Sequence, residues 1–459
     1  MTTKIKDVMR YIDRTAAEIA SGVTPTLYQF GAGVPERYGA VGDGVTDDTA
    51  ALTNCIAANY LTVLTPGKTY LTTGVVITAS SRMIVGGGPN CAIKCSGAPG
   101  SFGIKFVHAS GIGTHFQSGA ILENFNVSCA ATANQIYGIW MANAELRRMT
   151  GVLIDMSANT YAGVVRNATY GFRGSYQQDG VFVGCTFTGG SGANSDGCYL
   201  QSLSASELPN DNTFLGCRFQ SCGGWGMRQQ RGVGNVLIGG KFQANTSGGF
   251  LEGDDGAGNG GVSTTLYKVG FEVNTGDDLK VDVGSQISVR DCSFQSTGVT
   301  NSINALYLSG GVFDNNYGYN GKPAVFAAGT SVHWRDTNSG FAVNGAAGVL
   351  WETRVYAITY SATMATDASL GDHFSIGVTN ASAMTISNPT NARDGMRLTY
   401  EIYNTSGGAM GAITWGANFR LAGAFTNPAN NKRRTITFYP STIAGTTYFI
   451  EESRAAADI

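Results

Sequence analysis

The pattern of apolar and polar positions changes twice along this chain, near residues 22 and 340. In residues 4–20 the positions Ile5, Val8, Ile12, Thr15 and Ile19 alternate spacings of three and four, which predicts an amphipathic helix with a short a/d seam. Isoleucine at both kinds of seam position favours three strands over two. So short a seam is marginal alone, and two readings stand: a trimeric helix bundle supported by the rest of the protein, or one helix docked on its own domain. Ser21-Gly22 ends the helix, and residues 23–36 read as an extended linker.

The middle of the chain repeats. FVGCTF ends at Phe187, FLGCRF at Phe219, LIGGKF at Phe242, YKVGF at Phe271, VRDCSF at Phe294 and LSGGVF at Phe313. Intervals of 19 to 32 residues suit one coil of a solenoid with loops of unequal length. Cys185, Cys217 and Cys292 each stand two residues before a repeated Phe, so both sets are expected on one face as interior ladders. A second strand recurs within each coil: YGIWMA, DGCYLQ, WGMRQQ, GGFLEG, DLKVDV and NALYLS. Aligned after the turn, it puts Ile139, Cys198, Met227, Phe250 and Leu306 inward, with Trp140, Tyr199, Arg228, Leu251, Lys280 and Tyr307 outward. Aromatic rings stack on sugars, and Arg or Lys pairs with uronate or sulfate. An ordinary mixed outer face, or one covered by another subunit, fits the same pattern.

Ahead of the repeats, residues 37–77 hold YGAVGDGVTDDTAALTNCIAA and LTVLTPGKTYLTTGVVI. Asp47 or Asp48 should N-cap a short helix through its carboxylate, with Gly42 and Gly44 permitting the turn before it. Both aspartates read as caps and turn formers. The run Gly39 to Thr49 resembles the N-terminal cap motif GAxGDGxxDDT of phage tailspikes in the pectate-lyase-like superfamily, and Pro66-Gly67 supplies that family's first strand–turn–strand. The resemblance implies an all-β fold: a right-handed parallel β-helix over residues 78–339, plugged by the cap. It also implies a bacterial surface polysaccharide as ligand, a homotrimer, and a place in the virion tail. Such a spike is made in the host cytoplasm and acts at the bacterial surface.

After residue 340, RLTYEIYNTSGG, GAITWG, RRTITFYP and TTYFIEES alternate apolar and polar residues between turns, which predicts a C-terminal antiparallel β-sandwich. GGAMGAITWGANFRLAG, FTNPANNKRRTITF and YFIEESRAAAD resemble the C-terminal module of many phage spikes and fibres, which implies a role in trimerisation or glycan binding. The helical N-terminus differs from this body, and residues 1–35 are expected to attach the spike to a phage tail or baseplate protein.

Composition narrows the classes. The 64 glycines, about twice the usual share, and the low 14% of charged residues suit many short strands joined by tight turns. A net charge of −2 offers no basic surface, so no nucleic-acid partner is expected. No apolar run approaches the ~20 residues of a membrane span, and MTTKIKDVMRYIDR lacks the apolar core of a secretory signal. Nine cysteines without a completing pair for Cys91 and Cys95, and four scattered histidines (His108, His115, His333, His373), leave no metal or other cofactor expected.

Glycoside cleavage by hydrolysis needs two carboxyl groups flanking the bond. Asn194-Ser195-Asp196-Gly197 resembles the NTDG motif of polygalacturonase-like hydrolases, with Ser for Thr, and LEGDDG holds Glu252, Asp254 and Asp255 two coils later. The paired aspartates of that family come one coil after its first motif, and its Gly-His and Arg-x-Lys motifs are not recognisable here. Asp196, Glu252, Asp254 and Asp255 are thus the catalytic candidates, with turn formation as the alternative for the Asp-Gly pairs. Trp140, Tyr199, Arg228, Lys280 and Tyr307 are the sugar-binding candidates. Asp179, Glu272, Asp282 and Asp291 are further acidic candidates. A lyase would use Arg228, Lys280, Tyr199 or Tyr307 as base against a uronate. An endo-acting hydrolase, a lyase on an acidic glycan and a non-catalytic receptor-binding or structural tail protein remain as functions.

Overall fold

The computed structural model describes residues 14–459 apart from 89, 108–118, 143, 145, 162–169, 176, 203–207, 254–259, 320, 328–329, 336–337, 346–348, 353–354, 369, 393 and 395. The chain forms two compact units: Met1–Gly311 with Asn316–Val325 and Gly340–Asn344, and Val312–Asn315 with Phe326–Ser339 and Gly345–Ile459.

The first unit is a parallel β-helix. Successive coils each give one strand to each of three parallel sheets. One sheet runs from Asp43–Asp47 to Tyr317–Gly318, the second begins at Leu61–Leu64, and the third runs from Val75–Ile77 to Ala342–Gly345. The repeated phenylalanines stack in register inside the first sheet. Ring centroids lie 5.0 Å apart for Phe187–Phe219, 4.7 Å for Phe219–Phe242, 5.1 Å for Phe242–Phe271 and 4.7 Å for Phe271–Phe294. Each such pair contributes roughly 0.5–1.5 kcal/mol beyond burial, and the ladder holds the coils in one register. Phe313 does not continue it. LSGGVF forms the strand Leu308–Asp314 of another sheet, and Gly318 takes the next position beneath Phe294. Cys185, Cys217 and Cys292 are buried one corner before the ladder, and all nine cysteines are free thiols.

A third-sheet signature accompanies the ladder. The strands Phe102–Val107, Tyr137–Ala142, Tyr170–Ser175, Asp196–Gln201, Trp225–Gln230 and Gly248–Gly253 all carry glycine second. A Cβ at Gly226 would lie 2.8 Å from both Asn245 Nδ2 and the Phe242 ring, and one at Gly249 would lie 2.6 Å from Phe271. The sheet can close on the phenylalanine ladder only where this side chain is absent. At the next coil Asp278 takes the glycine position. It is buried, accepts hydrogen bonds from Ser296 Oγ (2.6 Å) and Asn274 Nδ2 (2.8 Å), and its other carboxylate oxygen has no partner among the described residues. Burial pushes its carboxyl up to about 7.

At the N-terminal end, Ala16–Ala20 is helical, with Thr15 and Glu18 forming a reciprocal capping box. Ile5, Val8 and Ile12 lie outside the described residues, and Ile19 is exposed. Glu18 is also ion-paired to Arg37 Nε at 2.7 Å, both side chains fully buried, and Tyr38 Oη donates to it at 2.8 Å. The helix is thereby tied to Pro35–Tyr38, so the stretch between them is anchored at both ends. The plug helix is Thr49–Ala58. Asp48 stands at the N-cap position but its carboxylate makes no cap bond, accepting instead from Val41 N and Gly42 N of the preceding turn; Asp47 Oδ1 accepts from Thr49 N (2.9 Å) at the helix start.

The second unit is mixed rather than antiparallel throughout. Val355–Ile358, His373–Val378 and Leu398–Asn404 pair in parallel, as do the three strands Thr363–Met364, Met384–Ile386 and Ile413–Trp415. Among the described residues, Arg433–Ile443 and Thr446–Arg454 bring the expected antiparallel pairing, to Leu398–Asn404 and to each other. Alternation along a strand records which face is buried and leaves neighbour direction open, which is why the two arrangements read alike. Phe374, Tyr400, Ile436 and Phe438 from the larger sheet share one core with Met364, Met384 and Ile386 from the smaller.

Candidate functional site

The outer face of the third sheet carries a column one residue beyond the inward Ile139, Cys198, Met227 and Phe250, all fully buried. Strand pairing sets its order as Lys105, Trp140, Arg173, Tyr199, Arg228, Leu251, Lys280 and Asn304. Five of these were expected outward from the sequence. Lys105 and Arg173 were missed, although FGIKFV and YGFRGS carry the same second-position glycine and place each cation two residues after it. Tyr307 does not belong to the column. The register is shifted by three residues, so Ile303 and Asn304 take the places expected for Leu306 and Tyr307, and Tyr307 lies exposed beyond the strand end. Asn301 helps set this register: its backbone N and Nδ2 both donate to Asp277 Oδ1 in the coil before.

The column is not a freely solvated row. Tyr199, Arg228 and Leu251 are buried, Trp140 is half-buried, and Lys280 keeps its ammonium near Asp282 at 2.8 Å. Tyr199 donates from Oη to Gln230 Oε1 at 2.6 Å and clusters with Tyr137 and Trp140. Tyr137 stacks obliquely on Trp140 at 5.0 Å, Phe102 meets it edge-on at 6.4 Å, and the Lys105 ammonium sits 3.6 Å from its ring centroid. Arg173 lies 5.0 Å from the same ring and donates to Gln201 Oε1 and Tyr137 Oη. The result is a surface of rings, cations and amides with few carboxylates.

Asp196 enters this face from the strand start. Its carboxylate is fully buried, accepting from Trp225 N at 2.7 Å and Arg228 Nε at 2.8 Å. Burial pushes its carboxyl above the usual range, against the pull of the Arg228 guanidinium. The expected catalytic residue and the expected sugar-binding arginine therefore form one ion pair.

Glu252 points the other way. It follows Leu251 on its strand and lines the coil interior, in register with Gln229 and Val281. Its carboxyl is bonded to the Gln229 amide, Thr264 Oγ1 (3.0 Å) and Gly232 N (3.3 Å), and burial pushes it up to about 8. Gln229 links it through Asn235 to Asn212, so Glu252 ends an interior ladder of amides. Two coil steps and four residues separate it from Asp196, about 10 Å along the axis and about 13 Å along the strand. The structure does not bring the two together. Asp254 and Asp255 lie outside the described residues. Of the further acidic candidates, Asp179 and Asp291 are turn residues with φ of 50° and 53°, and Glu272 pairs with Lys241 at 2.8 Å on the first sheet. Among the described residues no group of three His, Cys, Asp or Glu side chains could hold a metal ion.

This parallel β-helix is matched by a family: residues 34–251, a little under half of the chain, fit the model described as rhamnogalacturonase A/epimerase, pectate lyase-like. That stretch is similar to a pectate lyase-like domain, and it includes the cap whose motif resembles the same superfamily. No curated protein matches the sequence. Among solved structures, full-length tailspike protein 2 of the Escherichia coli O157:H7 bacteriophage CAB120 is similar at 16% identity and a TM-score of 0.50, over 66% of this chain and 42% of that one. The chain thus spans less than half the length of that tailspike protein, and the likeness is one of fold. The surface adhesin PfbA of Streptococcus pneumoniae aligns at 10% identity with a TM-score of 0.48, over 92% of this chain and 100% of that one.

Proposed function

We propose that this chain is the body of a phage tailspike that binds a bacterial surface polysaccharide along the outer face of its third sheet and cleaves it. The observation that carries the reading is the outer column, whose half-buried members are Lys105, Trp140 and Arg173 at one end and Lys280 and Asn304 at the other, a ring among cations and an amide. Rings take the apolar faces of sugars, and amides and cations take their oxygens. The pectate lyase-like fold supports the same ligand class. The spike works as a homotrimer, with residues 1–35 joining it to the tail.

Hydrolysis is the first reading of the chemistry, with Asp196 as acid: a buried carboxyl with a raised pKa can hold the proton a leaving sugar needs. Another observation favours a lyase acting on an acidic glycan. Among the described residues, the next carboxylate at Asp196's position along the sheet is Asp277, three coil steps on, or about 14 Å. That exceeds the about 5–9.5 Å of a hydrolase pair. Incubating the full-length protein with surface polysaccharides from a panel of bacteria separates the readings. New reducing ends without unsaturated uronates mark a hydrolase, and unsaturated uronates mark a lyase. Binding without either product removes the enzyme and leaves a receptor-binding protein, and no binding to any polysaccharide rejects the proposal.

A further inference from the structure

The three outer faces of the β-helix differ in charge. In the second sheet, strand pairing aligns two outward columns, which over four successive coils hold Val181, Val183, Leu215, Val236, Ile238 and Tyr267 with two threonines and no charged group. Val181 and Leu215 are exposed and the other four half-buried. The same columns begin at the cap with Leu61 and Val63, both exposed, and the charges between the two stretches, Glu123 and Arg148, are paired with each other. The other faces are unlike this one. The first sheet turns Arg218 and Lys241 outward on adjacent strands, with Asp155 and Glu272 beyond them. The third carries Lys105, Arg173, Arg228 and Lys280. Branched side chains left toward water along one face mark a surface that is covered.

We infer that the outer face of the second sheet lies on a three-fold axis, covered by two further copies of this chain, so that the third sheet faces outward. This rests on the homotrimer reading above and names the surface that makes it. Around such an axis every residue meets its own copies at the same height. A face carrying Arg218 and Lys241, or Arg228, would set three like charges against one another at each coil. Uncharged branched side chains meet their copies at no such cost and release water as they do. Extent points to three chains rather than two. The strip from Leu61 to Tyr267 crosses eight strands, about 34 Å, and is about 10 Å wide. Two such strips face to face cover about 700 Å², short of the about 1,000 Å² at which a specific interface begins, and three closing on one axis reach it. The isoleucine spacing of residues 5–19 favours the same number of chains.

The test places a charge or a thiol on two faces of one coil in the full-length protein. Leu215→Glu sets three carboxylates at one height on the axis and should turn the trimer into monomers at micromolar concentration, read as a threefold fall in mass by light scattering. Gln220→Glu, on the first sheet of the same coil, should stay trimeric. Because a charged interface can also hinder folding, cross-linking gives a second reading. All nine native cysteines are buried, so a short bis-maleimide should join Leu215→Cys chains to one another and leave Gln220→Cys chains single. If the wild type is a trimer and Leu215→Glu remains one, or Leu215→Cys chains stay single, this face is not the interface and the trimer stands. A wild type that is not a trimer ends both.

Discussion

Asp196 Oδ2 and Arg228 Nε meet at 2.8 Å across one coil step, and almost none of either side chain reaches solvent. A buried carboxylate and a buried guanidinium each depend on the other, since removing one partner strands a charge at a cost of about 3–5 kcal/mol.

Arg228→Met should therefore lower stability by roughly that amount, about 3–5 kcal/mol, and raise the Asp196 pKa further by removing its counter-charge. Asp196→Asn strands the buried Arg228 in the same way and should lower stability too; under conditions where circular dichroism shows it folded, it should reduce polysaccharide cleavage by about 100-fold or more. An Asp196→Asn protein that clears polysaccharide at the wild-type rate would place the chemistry elsewhere.

Glu252 gives a pH dependence. Its carboxyl sits at about 8 in the folded chain against 4.5 for an ordinary glutamate, so folding prefers its protonated form. Below about pH 4.5 both states are protonated and nothing is lost; from there to about pH 8 the unfolded state gains by ionising, and stability falls. Glu252→Gln should flatten that fall, by up to about 4–5 kcal/mol at pH 8, with little change near pH 4. Parallel denaturant curves for the two proteins across this range would expose the idea as wrong.

Glu18 behaves in the opposite sense. Its hydrogen bonds to Arg37 chiefly hold its carboxyl at about 2 rather than 4.5, so the stability it contributes is present above about pH 4.5 and lost as pH falls toward 2. Glu18→Gln should release the N-terminal helix from the cap at neutral pH. Faster proteolysis near residues 20–34, with the β-helix still intact, is the expected readout, and unchanged cleavage there would count against the clamp.

Light scattering on the full-length protein should give three times the 48.0 kDa chain mass; a monomer at micromolar concentration would end the trimer proposal. Deleting residues 1–22 should leave polysaccharide binding intact and abolish incorporation into virions. Particles that still carry the shortened spike would locate the anchor elsewhere.

Much of the architecture was legible because a β-helix writes its own period. Each coil must fill the same interior positions, so Phe187, Phe219, Phe242, Phe271 and Phe294 recur in sequence for the reason that they stack in space. The cap was legible for a local reason too: Asp47, Asp48, Gly42 and Gly44 act within a few residues of themselves. The outward column was legible only in part, since alternation reveals a strand's faces but a strand's first residue depends on its neighbour. Asn301 bonding to Asp277 goes with a register shifted by three residues, which exchanges Tyr307 for Asn304.

What the sequence by itself determined is the repeat, the interior ladders and the glycine second in six third-sheet strands, all of which follow from short-range geometry. What only the tertiary structure decided is which polar groups face each other. It turned Glu252 into the coil and joined Asp196 to Arg228. It also placed Lys105 and Arg173, 68 residues apart in the chain, on either side of Trp140. Loop length sets the sequence distance between such neighbours, while the ~4.8 Å spacing of adjacent strands sets their distance in space, and nothing in the chain's local pattern relates the two.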